Sequence, residues 1–154
     1  MGIGRATLYK YFPDVGAIMV AWHERQVGGH LRQLAEATAG ATAPAERLHL
    51  ALRTYAELSA GHHHAAGPTH APDLTGPLHR AAHMNQARER LHGMLTELIG
   101  AAVENGDVRD DVPATELAAY CLHALAAARD LPSHAGRNRL VTVTLAGLRP
   151  EAGT

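Results

Sequence analysis

The sequence is poor in several things that would each imply a function. It has one cysteine, Cys121, so no internal disulfide can form. Aromatic residues make up 4% of the chain, with a single Phe and a single Trp, which argues against strands built from aromatic and β-branched side chains. Neither sign of charge is in surplus: 14 Lys and Arg stand against 15 Asp and Glu, so any affinity for nucleic acid or an anionic membrane must come from a local patch. No uninterrupted apolar run reaches membrane-spanning length, and no charged start leads into an apolar signal core. A soluble cytoplasmic protein with no membrane contact is the expectation.

What is abundant is alanine, at 30 of 154 positions, and leucine, at 19. That composition favours helices with small, close-packed faces, and the length suits one domain with a buried core. An all-α fold follows. Apolar residues recur at helical spacing in five stretches separated by Gly, Pro and Asn. A short helix over Arg5 to Phe12 is closed by Pro13. Asp14 then caps a longer helix reaching towards Leu34, which Gly28 and Gly29 are expected to weaken or bend. Pro44 opens the next, with Leu48, Ala51, Leu52, Tyr55 and Leu58 as its apolar stripe and Gly61 as its end. Residues 61 to 78 are dense in breakers and read as a loop.

A third long helix starts at Leu78 or Met84 and ends at Asn105-Gly106, with Leu91, Leu95, Leu98, Ile99 and Ala102 inward. Pro113 starts a fourth that continues to Ala128, and the last spans about Arg137 to Leu148. These two are apolar on more than one side. Such helices need cover on two faces, so the patterning predicts a two-fold homodimer with Leu117, Cys121, Leu125, Val141, Leu145 and Leu148 at or near a four-helix contact.

The densest functional signal is Gly2-Ile3-Gly4-Arg5-Ala6-Thr7-Leu8-Tyr9-Lys10-Tyr11-Phe12-Pro13-Asp14. It reads as a tight turn into a short helix that presents Arg, Thr, Lys and two Tyr hydroxyls, while Leu8 and Phe12, four apart, anchor the other side. Its local charge is +2, from Arg5 and Lys10, and its donors suit phosphates and base edges. The plainer alternative is a surface helix followed by a capped one.

This run resembles the second half of the helix-turn-helix of TetR-family transcriptional regulators, and Ala17-Ile18-Met19 resembles the helix that joins that module to the regulatory domain. The motif covers about a tenth of the chain. The succession of helices after it, including the turn from Gly106 to Asp111, is also similar to the family's C-terminal domain. The resemblance implies that residues 1–13 are a partial helix-turn-helix, 14–38 a linking helix and 39–150 a ligand-binding and dimerisation domain. It implies that Arg5, Ala6, Thr7 and Lys10 face the major groove of operator DNA and that Tyr9 and Tyr11 help hold phosphates.

The family's head has three helices, whereas this chain opens at the turn of the motif. Val15-Gly16 stands where the family usually has Lys-Glu, so a phosphate contact is lost as well. The expectation is therefore a regulator with an incomplete head, whose own DNA binding is weak, salt-sensitive and non-specific. Its small-molecule effector would sit among larger mixed side chains on the middle helices, with Tyr55, Met94, Tyr120 and His123 as candidates. A ligand-responsive repressor is the leading reading. The alternatives are a dimerisation or interaction protein without DNA binding and a histidine-based metal-binding protein.

The metal reading starts from His62-His63-His64, His70, His79, His83 and His92. His79 and His83 have the i, i+4 spacing that lets two imidazoles grip one ion on a helix. No cysteine accompanies them, and Asp73 is the one acid between His62 and His83, so no metal site is assigned and no cofactor is expected. No catalytic residue emerges: His23-Glu24 lacks the second histidine of a zinc-protease helix, there is no glycine-rich phosphate loop, and Cys121 sits mid-helix among apolar neighbours. The acids Asp107, Asp110 and Asp111 read as a solvated turn.

Overall fold

The computed structural model describes residues 15–61 and 77–152. Five α-helices fill these spans: α1 (Val15–Ala39), α2 (Pro44–Gly61), α3 (Pro77–Glu104), α4 (Ala114–Ala126) and α5 (His134–Ala146). A 3-10 turn over Ala127–Asp130 extends α4. There is no strand among the described residues.

Local chemistry sets the boundaries. Pro44 stands at the first position of α2, where its missing N–H costs nothing, and Glu46 complements the positive end of that helix. The end of α3 is a Schellman-type cap: Gly106 takes φ +80°, and the amide of Asp107 reaches back to the carbonyl of Ala102 at 2.9 Å. Buried Val108 follows that cap. At α5 the hydroxyl of Ser133 accepts the amide of Gly136 at 3.0 Å, so the helix begins three residues before the predicted Arg137. The α1 helix continues through Gly28 and Gly29 as far as Ala39. Helix propensity is a weak local preference, which the longer helix overrides.

The core is organised around α2. It packs against α1, α3, α4, α5 and the 3-10 turn, and its Leu48, Ala51, Leu52, Ala56 and Ser59 are buried. Ala51 and Ala56, together with Ala118 on α4, are essentially inaccessible and let neighbouring backbones approach closely. Leu34 of α1, Leu95 and Ile99 of α3, Leu125 of α4 and Leu148 fill the space between them. Each such side chain contributes about 1.5–3 kcal/mol by leaving water. Two buried threonines satisfy themselves: Thr38 donates to the carbonyl of Leu34 (3.1 Å) and Thr144 to that of Leu140 (2.9 Å). The amide of Arg109 donates to the carbonyl of Leu148 at 2.9 Å and so ties the turn after α3 to the end of α5.

This arrangement bears directly on the predicted subunit contact. Leu117, Cys121, Leu125, Val141 and Leu148 are each no more than 5% exposed within the single chain, and Leu145 is half-buried. The second layer of cover that α4 and α5 require comes from α2, together with α3 over α4. Five of the six residues therefore belong to the subunit's own core.

Candidate functional site

The four residues expected to line an effector pocket fall into two groups. Tyr55 on α2 and Met94 on α3 are half-buried and packed against the apolar core. Tyr120, 45% exposed, and His123 lie on the outer face of α4. The helix period explains the division: Glu116, Tyr120, His123 and Ala127 form one solvent-facing stripe, opposite the buried Leu117, Ala118, Cys121 and Leu125.

That stripe adjoins the outer face of α5. The Tyr120 hydroxyl lies across Gly147, so close that a Cβ added there would come within 2.9 Å of it. A turn back along α5, Val143 is 66% exposed, the most exposed large apolar side chain described. Tyr120, Gly147 and Val143 form a continuous outward surface, with Arg139 and Thr142 beside it.

Other polar contacts hold the helices in register. His92 on α3 donates through Nε2 to the carbonyl of Thr115 at 2.8 Å, pinning the start of α4. Arg109 makes a two-pronged contact with Asp111 at 2.6–2.7 Å, which holds that carboxyl below the usual carboxylate range, and the acidic turn is solvated as expected. Burial pushes the Cys121 thiol up to about 12, leaving it neutral and inert as a nucleophile.

The cluster that sequence reasoning missed joins α2 to the start of α5. Glu57 accepts from Nε of Arg137 at 3.0 Å and from Nδ1 of His134 at 2.7 Å. Arg137 also donates to the carbonyls of Leu131 (3.1 Å) and Pro132 (3.2 Å). The Arg137 guanidinium, followed by His134, holds the Glu57 carboxyl below its ordinary value against an opposing effect of burial. These partners are 77 and 80 residues apart, and no local pattern links them.

The predicted DNA-contacting residues, Arg5, Ala6, Thr7, Tyr9, Lys10 and Tyr11, lie outside the described residues, as do His62, His63, His64 and His70. His79 and His83 both stand on α3. Among the described residues, no three His, Cys, Asp or Glu side chains gather as they would around a metal ion, and no helix is long and apolar enough to cross a membrane.

Residues 16–150 match the family model described as "Transcriptional regulator SbtR-like, C-terminal domain". The chain belongs to the TetR family of transcriptional regulators. The match spans all five helices, and TetR-type regulatory domains are all-α, as this bundle is. A TetR transcriptional regulator from Streptomyces coelicolor, SCO0520, has a solved structure that aligns over 98% of this chain and 83% of its own, with a TM-score of 0.63 and 23% identity. At that identity the likeness supports the TetR fold and nothing finer. No curated protein sequence matches the chain significantly.

Proposed function

We propose that the chain is the sensing and pairing part of a dimeric, ligand-responsive transcriptional repressor, which acts on operator DNA through the segment before α1. The observation that carries this is α1 itself. It is one continuous helix of 25 residues, about 37 Å long, whose buried anchors Leu34 and Thr38 lie in its last turns. A rigid helix held at one end by the core and leading at the other to Arg5–Lys10 can convert repacking around α2 into movement of a DNA-reading segment. The effector would act within the bundle, near Tyr55 and Met94, by favouring one packing over another. A second copy would pair through the outer faces of α4 and α5.

A fluorescence titration of this chain against labelled duplexes from its own upstream region, at several salt concentrations, tests the reading. The expected result is weak binding that falls as salt rises and drops further in Arg5→Ala and Lys10→Ala. A small molecule that raises the melting temperature of the bundle is expected to change that DNA affinity, because the two equilibria are linked. A chain that pairs with itself yet shows no DNA binding under any of these conditions would instead support an interaction protein without DNA binding.

A further inference from the structure

The geometry points to a polar latch, in which the single carboxylate of Glu57 fastens the connection between α4 and α5, and the first turn of α5, to the central helix α2. Between Ala128 and Val141 no apolar side chain is buried: Leu131 and Leu140 are half-buried, Pro132, Ser133, His134 and Ala135 are exposed, and Gly136 is buried but has no side chain to contribute. Beyond this segment, all five helices contribute buried apolar side chains to one core. In this segment the attachment is polar.

Its components converge. Arg137 has a side chain only 16% exposed, and it bonds both to Glu57 across the helix interface and to the carbonyls of Leu131 and Pro132 within the connection. His134 adds a second arm to the same carboxylate from one turn earlier. The charged groups facing Glu57 from α5 are these two. Among the described residues no ion pair joins it to Arg53, a turn earlier on α2, or to Arg129 of the 3-10 turn, and none joins His134 to Asp130.

This attachment depends on the charge of one group, on which both arms converge. Losing that charge releases Arg137 and His134 together, while Val141, Thr144 and Leu148 still hold the other end of α5. The segment from Leu131 to Arg139 then opens as a unit about the fixed part of α5. Helix α2 also packs against α1, so displacement of α2 and release of the α4–α5 corner become linked.

Hydrogen exchange on the full chain tests this. The reporting amides are those of Gly136 and Arg137, bonded to Ser133 within the segment, and of Leu131, bonded back to Ala128, and the amides of Ala118 and Leu125 serve as the reference for global opening. Glu57→Gln is expected to speed exchange at the reporters about tenfold, the scale of a lost hydrogen bond to a charged group, with the reference amides remaining the better protected of the two sets. Arg137→Gln should do the same, and the double variant should be no worse than either single one, since each removes the same fastening. Arg137→Lys keeps the charge but loses the fork, so it should recover part of the protection. Unchanged exchange at the reporters in Glu57→Gln, or wild-type reporters that open only with the free energy of the reference amides, would overturn the proposal.

Discussion

At the scale of single residues, Glu57 is where protonation and packing meet. Its carboxyl titrates below its ordinary value of 4.5 because Arg137 and His134 favour the ionised form. A carboxyl whose folded pKa is depressed adds stability that is fully present above the unfolded pKa and is lost as pH falls through the folded one. The expected outcome is that wild type and Glu57→Gln differ most at neutral pH and converge as pH drops well below 4.5. Denaturant unfolding at a series of pH values measures this, and a difference that widens on acidification would contradict it. The difference should be modest, on the order of 1 kcal/mol, because His134 is more than half exposed and Glu57 about a third. Cys121 is the opposite case, a titratable group that burial keeps neutral and that serves only packing.

At the scale of elements, the helices legible in the sequence were those with chemical punctuation. Pro44 and Gly61 bound α2 where the pattern predicts, and Asn105-Gly106 ends the third long helix with the left-handed glycine expected of it. The stripes Leu48-Ala51-Leu52 and Leu95-Leu98-Ile99-Ala102 are buried as their period requires. The start of α5 was misplaced because its cap is a lone Ser133, a weak signal beside Pro132. Helix α1 runs unbroken through Gly28 and Gly29, and a methyl group at either would have no atom within 4 Å. Those glycines cost helix stability without a compensating contact. Gly28→Ala and Gly29→Ala are each expected to stabilise the folded chain by about 0.5–1 kcal/mol, read as a higher melting temperature. Loss of stability in either would mean that the space beside α1 is needed for something else, such as a moving neighbour.

At the scale of the whole molecule, the hardest feature to read was which apolar faces meet inside the chain. A helix that is apolar nearly all round states only that it needs cover, and periodicity cannot say whether the cover comes from the same chain or from a second copy. Here α2, an ordinary amphipathic helix by its sequence, occupies the centre and covers faces of α4 and α5 for which the patterning predicts a partner. The ion-pair cluster was illegible for a related reason, since its members meet only through that central packing. The side chains exposed to meet a second copy lie on the outward stripes, at Tyr120, His123 and Val143, while Leu125 and Val141 are buried within the chain. The two sets make opposite predictions. Val143→Asp puts a charge where solvent already reaches, so a lone subunit should keep its fold. If Val143 is central to a contact between copies, the dimer dissociation constant should rise about thirtyfold or more, the scale of a well-packed interface residue. Leu125→Asp, with no exposed surface to escape to, should instead abolish folding through an unpaired buried charge. Light scattering gives the mass and circular dichroism the fold. A wild-type mass of two chains that Val143→Asp reduces to one, with helicity intact, is the expected result. A wild-type mass of one chain at micromolar concentration would remove the pairing surface altogether.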